Sequence, residues 1–149
     1  MKTTERTQFD FIAEDYDSIV EEAIGIKGGH NYYEQYKVQY LKPLIDKQRN
    51  DRQYVKVLDY GCGVGLLSNE IMKACNKIII HGFDVSSESI KSVPDRLRVE
   101  KNLFTSNLGD LEKGYDVAIL SVVLHHVLPQ DRKEVMKNIY SRLRGGVFW

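Results

Sequence analysis

Much of what would make a chain easy to classify is missing from this one. It has only two cysteines, Cys62 and Cys75. Two thiols make a poor disulfide framework, and their spacing fits no zinc pattern, so reduced thiols in a cytoplasmic setting are expected. It has no net charge, because 21 Lys and Arg residues balance 21 Asp and Glu residues. That removes any global attraction to nucleic acid or to acidic membranes. No apolar run approaches the ~20 residues of a membrane span, so no membrane partner is expected. The opening "MKTTERTQFD" is too polar and acidic for a signal peptide. Repeats and low-complexity tracts are absent. His30 and His81 stand in no carboxylate spacing that would complete a metal site, so no metal is expected.

What remains is a chain of 149 residues, enough for one domain with a real core. Its first third reads as helical. Phe9, Ile12, Ala13, Tyr16, Val20 and Ile24 recur at spacings of three and four, which makes one apolar helical face. "GIKGGHN" then breaks the pattern. A second helical face is expected through Tyr33, Tyr36, Tyr40, Leu41 and Leu44, with Pro43 kinking or interrupting it. Residues 42–56 are mildly basic but carry Asp46 and Asp51, and read as a solvated linker. Residues 1–50 are therefore a helical cap, and residues 51–149 a domain of a different rhythm.

In that second part strands and helices alternate. "YVKVLDY" (54–60) is a β-branched run of strand length, and "LLSNEIMKACNK" (66–77) a helix with Leu67, Ile71 and Cys75 on one stripe. "KIIIHGFD" (77–84) is a buried strand, "SESIKSV" a short helix stopped by Pro94, and "LRVEKNLF" (97–104) a weaker strand. "YDVAILSVV" (115–123) is a strong strand, and "DRKEVMKNIYSRL" (131–143) a helix with Val135, Ile139 and Leu143 inward. "GGVFW" starts one more strand. Apolar strands without two-fold alternation belong to sheets covered on both faces. The expected fold is α/β: a doubly wound, mostly parallel, Rossmann-like sheet behind an N-terminal helical extension.

Such sheets bind ligands beyond the carboxyl ends of their strands. There this chain places "VLDYGCGVG" (57–65). Glycine permits a tight turn and a close ligand. A dinucleotide fingerprint needs glycines at relative positions one, three and six. Here they are Gly61, Gly63 and Gly65, and Leu66 holds the sixth place. Asp59 before the loop would repel a pyrophosphate and welcome an ammonium or a sulfonium. Asp84 ends the next strand, where an acid can accept hydrogen bonds from ribose hydroxyls. A ligand with a cationic amino-acid end and a ribose, but no phosphate, fits both acids. S-adenosyl-L-methionine is such a molecule. Asp84 can equally cap a helix ahead of Ser86 and Ser87.

These stretches, together with "GFDVS", "YDVAILSVVLHHV" and "SRLRGGVFW" in that order, resemble the class I S-adenosylmethionine-dependent methyltransferases from Tyr54 onward. "FDFIAEDYD" resembles the helix with which many members close over the cofactor. The resemblance implies Asp59, Gly61, Gly63 and Asp84 as cofactor residues. It makes Cys62 a contributor of backbone rather than thiol, and Val85 a neighbour of the adenine. Asn107, with Ser106 and Leu108 beside it, is the candidate for the adenine amino group, and Ser121, near the end of the fourth strand, is a further cofactor candidate. Tyr16 is a core aromatic or a cofactor contact. The family's sheet usually has seven strands. This chain stops inside the fifth, so a fragment or a short protein is expected. Its apolar edge is expected to be covered by a homodimer or by a further segment.

The expected function is methyl transfer to a small-molecule acceptor. Neutral charge disfavours nucleic acid, and the asparagine-proline motif of base amino methylation is absent after "AILS". His125 and His126 are candidate bases, since a neutral imidazole can take a proton near neutral pH. Either can equally be a packing residue at the end of the fourth strand. "GGHNYY" (28–33) is a substrate-facing lid or a turn between helices. The rival readings are a non-catalytic cofactor-binding or partner module, and a nicotinamide-dependent dehydrogenase. The glycine spacing and Asp59 disfavour the dehydrogenase.

Overall fold

The computed structural model describes residues 29–99 and 101–149. The first helical pattern, with Tyr16, lies outside them. The described chain begins with helix α1 (Gly29–Lys47) and enters strand β1 (Val55–Tyr60). There follow α2 (Leu66–Ala74), β2 (Ile78–Phe83), α3 (Ser87–Lys91) and β3 (Leu103–Thr105). The remainder is β4 (Tyr115–Ile119), α4 (Pro129–Tyr140) and β5 (Leu143–Phe148). The strands form one sheet in the order β3-β2-β1-β4-β5, and every neighbouring pair is parallel. The order reverses direction at β1, which sits between β2 and β4.

Each face has its own core. Val55, Val57, Ile80, Val117 and Ile119 pack with Leu41 and Ile45 of α1 and Leu67 and Ile71 of α2. Leu58, Tyr60, Phe83 and Ala118 pack on the other face with Ile139 of α4. Residues of one strand thus go to opposite faces, and both faces are apolar. That is the pattern of a doubly covered parallel sheet. The helical extension shares a core with the sheet.

Several elements differ from expectation. Pro43 does not interrupt α1, which runs on to Lys47. "GGHNYY" is helical from Gly29 onward, so it forms neither a loop nor a turn there. The buried stripe of α1 is Val38, Leu41 and Ile45, while Tyr32, Tyr33, Tyr36 and Tyr40 face outward. Aliphatic side chains hide without cost, whereas phenols keep their hydroxyls satisfied outside, as when Tyr36 and Tyr40 bond to each other at 2.9 Å. The basic segment is not wholly a solvated linker, because Lys42–Lys47 is helical and Arg52 pairs with the buried Asp116.

The third strand is shorter than "LRVEKNLF". Residues 95–97 form a 3-10 turn, and the strand starts only at Leu103. Asn102 explains the delay. Its Oδ1 accepts from the Ile80 N–H at 2.9 Å and its Nδ2 donates to the Leu97 carbonyl at 2.9 Å. A side chain therefore takes the ladder position that backbone would have filled. β4 ends at Ile119 rather than Val123, and Leu143 belongs to β5 rather than to α4. Among the described residues no helix is long and apolar enough to cross a membrane.

Candidate cofactor site

The carboxyl ends of β1, β2 and β4 open into a cleft of about 550 Å³. That is the size of a small-molecule site, which runs from roughly 300 to 1,000 Å³. Its floor is the turn from β1 to α2. Gly61, Gly63 and Gly65 have φ of +84°, +53° and +85°, a region that side chains disfavour. The alternate glycines of the motif are thus three left-handed residues in one loop. The N–H groups of Gly61 and Cys62 both donate to the Phe83 carbonyl, at 2.6 and 3.0 Å, which ties the loop to the end of β2.

Two of these glycines face different surroundings. A Cβ on Gly61 would lie 2.1 Å from Cγ2 of Val123, so the segment after β4 occupies that space. A Cβ on Gly63 would meet no atom within 4 Å, and Gly63 lines the cleft. The backbone at Gly63 is therefore open to a ligand, and a side chain there would fill the space.

Asp59 is almost fully buried at the end of β1 and lines the cleft. It accepts a hydrogen bond from Ser68 Oγ of α2 at 2.6 Å. Burial pushes its carboxyl up to about 6. Ser68 opposes that shift, Glu34 and Asp84 reinforce it, and Lys37 opposes it weakly. A buried acid with acidic neighbours is a place for a cation.

Asp84 follows β2 directly. Its Oδ2 accepts from the Gly63 N–H at 2.8 Å, and its Oδ1 from the Ser86 N–H at 2.9 Å. The cap of α3 is Ser86, whose hydroxyl accepts from the Ser89 N–H at 3.1 Å. Asp84 thus clips the glycine loop to the turn before α3, with its carboxylate at the cleft wall.

Val85, Ser121 and His126 also line the cleft, as does Cys62. Burial pushes the Cys62 thiol well above its usual range, with Asp59 and Asp84 adding to the shift, so it stays protonated. Val122 carries φ +58°, a strained conformation for a β-branched residue, and turns the chain out of β4. The histidines follow in a 3-10 turn (Leu124–His126), their ring centroids 3.6 Å apart. Partial desolvation, then the neighbouring His125, lowers the pKa of His126, so its imidazole is neutral at pH 7.

Two candidates stand apart. His125 does not line the cleft. Neither does Asn107, which caps the 3-10 turn Leu108–Asp110: its Oδ1 accepts from Gly109 N–H at 3.0 Å, and its Nδ2 donates to Asp110 at 3.0 Å. The charged lining residues that were not legible in the sequence are Glu34 and Lys37 of α1. They were hidden because charges on a helix are usually solvated. The signal was their position one turn before Val38 and Leu41 on the inward face. Among the described residues no group of three or more His, Cys, Asp or Glu side chains is placed to hold a metal.

A doubly wound sheet with an acid-flanked glycine loop at its switch point defines a class, and comparison with known proteins agrees. The family described as "Methyltransferase domain" matches residues 58–148. This chain belongs to that family, the class I S-adenosylmethionine-dependent methyltransferases. It is 34% identical over 116 residues to a carboxy-S-adenosyl-L-methionine synthase of Campylobacter fetus, covering 74% of this chain and 49% of that one. It is 27% identical over 111 residues to a ubiquinone biosynthesis O-methyltransferase of Rickettsia bellii, covering 72% and 45%. Magnesium protoporphyrin IX methyltransferase from Synechocystis, solved with bound S-adenosylhomocysteine, shares the fold. Its TM-score is 0.60 at 19% identity, covering 93% of this chain and 69% of that one. The chain spans about half the length of the curated relatives it matches.

Proposed function

We propose that this domain binds S-adenosyl-L-methionine in the cleft and serves methyl transfer to a small-molecule acceptor. The observation that carries the reading is the pairing of Asp59 with Asp84 across a glycine loop whose Gly63 backbone is open. In this reading Asp84 accepts from the ribose hydroxyls, the backbone of Gly61–Gly63 lies under the methionyl part, and Val85 flanks the adenine. Residues 1–50 act as a cap over the domain formed by residues 51–149. The relatives named for ubiquinone and magnesium protoporphyrin IX favour a small organic acceptor over a macromolecule.

When bound, the cofactor supplies a methyl group made electrophilic by its sulfonium. The chain's task is to hold a nucleophile in line with it and to exclude water. Positioning of that kind can supply most of the acceleration. Leu66, Leu67, Val122, Val123 and Val127 give the cleft dry walls. His126, which lines the cleft, can take the proton of a hydroxyl or amine acceptor. Ser121 stands at the same wall as a hydrogen-bonding partner.

Calorimetric titration with S-adenosylhomocysteine tests the cofactor half. Wild-type protein should bind, and Asp84→Asn should lose roughly ten- to hundredfold in affinity, as expected for removing hydrogen bonds to a charged acceptor. A wild-type chain that is folded yet binds no adenosyl ligand refutes the reading. Binding without turnover across a broad panel of acceptors would make the domain a non-catalytic cofactor module.

A further inference from the structure

Among the described residues three non-glycines have positive φ: Asn50, Lys77 and Val122. Asparagine tolerates that region, and lysine is unbranched at Cβ. Val122 is β-branched, which makes its φ of +58° a genuine outlier, and it alone of the three lines the cleft. Strain of this kind costs free energy and gathers at functional sites. The turn itself has a structural reason. It leads the chain out of β4 and seats Val123 over Gly61, where a Cβ would come within 2.1 Å of Val123 Cγ2. That accounts for the backbone but not for the valine. Glycine would make the turn without strain, and asparagine with little. Nor does packing offset the cost, because Val122 is 62% exposed. A side chain whose cost the fold does not recover points to a ligand that covers it.

The wall around Val122 has one character. The carboxylates and the lysine that line the cleft, Glu34, Asp59, Asp84 and Lys37, all come from α1 and from the ends of β1 and β2. After β4 the lining is Ser121, Val122, Val123, His126, Val127 and Val135, with no carboxylate, lysine or arginine among them. A charged group seated against that wall would lose water without gaining an ion pair with any of those three side chains. An apolar body would gain with each methyl group it covers.

We infer that Val122 is a specificity-determining residue for the methyl acceptor, and that it selects an uncharged acceptor with an apolar body. The acceptor's hydroxyl or amine then stands at the wall that Val122 shares with Ser121 and His126. This rests on the reading of the cleft as an adenosyl site that serves methyl transfer. It adds a substrate class, and it disfavours acceptors that carry a carboxylate or a phosphate on the body that meets this wall.

Fluorescence titration of the protein saturated with S-adenosylhomocysteine tests this with two probes of one skeleton. 2-Naphthol is an apolar body with one hydroxyl, and 6-hydroxy-2-naphthoate adds a carboxylate. Wild-type protein should bind 2-naphthol more tightly, by roughly tenfold or more. Val122→Asn keeps the size of the side chain and suits the backbone, but it is polar. It should leave Tm unchanged or raise it, and weaken 2-naphthol by roughly four- to fifteenfold, the equivalent of one or two methyl groups taken out of contact. Val122→Gly should have the same two effects. In both variants S-adenosylhomocysteine affinity, measured by calorimetry, should stay within about twofold of wild type. A lower Tm with unchanged 2-naphthol affinity would make Val122 a structural residue and overturn the proposal. Equal losses for S-adenosylhomocysteine and 2-naphthol would place Val122 against the cofactor and overturn it too, as would wild-type protein that binds both naphthols alike or neither. Those outcomes leave the adenosyl site standing. Wild-type protein that binds no S-adenosylhomocysteine removes the adenosyl reading itself, and this proposal with it.

Discussion

Two alanine substitutions in the same loop should have opposite signatures. In Gly61→Ala the backbone must keep φ +84° with a side chain, and the new Cβ falls 2.1 Å from Val123 Cγ2. The left-handed conformation costs roughly 1–2 kcal/mol. Relieving the contact, which displaces a valine held in a strained turn, adds about 1–3 kcal/mol. The stiffer unfolded chain offsets ~0.4–1 kcal/mol. The net loss is about 1–4.6 kcal/mol, centred near 3 kcal/mol, or roughly 9 °C in Tm for a chain of this size. In Gly63→Ala φ is +53° and no atom lies within 4 Å of the Cβ, so only the conformational cost remains. Its net loss is about 1 kcal/mol, or ~3 °C. Binding should rank the other way. The Gly63 methyl enters the space left for ligand, and S-adenosylhomocysteine affinity should fall by roughly ten- to hundredfold while the fold stays intact. Urea denaturation followed by circular dichroism gives the first ranking, and calorimetry on the folded proteins gives the second. Equal destabilisation by both substitutions would show that Val123 yields freely. Unchanged affinity in Gly63→Ala would show that the ligand does not pass over this loop.

Asp59→Asn should trade binding for stability. The native carboxyl titrates at about 6 against an ordinary 3.8, so the native state holds a proton that the unfolded chain has lost between those values. Wild-type stability therefore falls as pH rises from 3.8 to about 6, by on the order of 2–3 kcal/mol. The Asn variant should lack that decline and be the more stable protein at pH 7, yet bind a cationic ligand more weakly; a less stable variant at pH 7 would refute the assignment. His81 has the opposite sign. Its Nδ1 faces the Tyr115 hydroxyl at 2.8 Å and its Nε2 the Lys101 carbonyl at 3.0 Å, and burial lowers its pKa. The native ring stays neutral while the unfolded chain charges, so stability should fall as pH drops through 6.5. Replacing His81 with Asn should flatten that part of the profile, and an unchanged slope would mean that another group carries it.

The existence of the strands and their parallel sheet were legible because an apolar β-branched run is hard to disguise. Val55–Tyr60 and Ile78–Phe83 fall within one residue of where the pattern puts them. The errors have a common cause. At Leu97–Asn102 and Ser121–Val123 the composition is that of a strand, but tertiary contacts take the backbone elsewhere. Asn102 supplies the bond that β2 needed, and Val123 fills the hollow at Gly61. On α1 the pattern favoured tyrosines, and the core took smaller aliphatics. Each failure turns on a partner far away in sequence, which no local window contains.

The same distinction separates the two acids of the site. Asp84 is fixed by two backbone N–H groups, Gly63 and Ser86, which favour its charged form and set its direction. Its place at the cleft wall follows from local chain geometry, and the motif alone puts an acid at that point of the chain. Asp59 has one hydroxyl partner and otherwise low-dielectric surroundings, so its charge costs the fold free energy. Stability alone would favour an uncharged residue there. A cation seated in the cleft reverses that balance: it restores to the Asp59 carboxylate the stabilisation that burial removed, and the gain appears as affinity for the cation. The acid that weakens the empty fold is therefore the one whose charge a sulfonium or ammonium ligand would feel most.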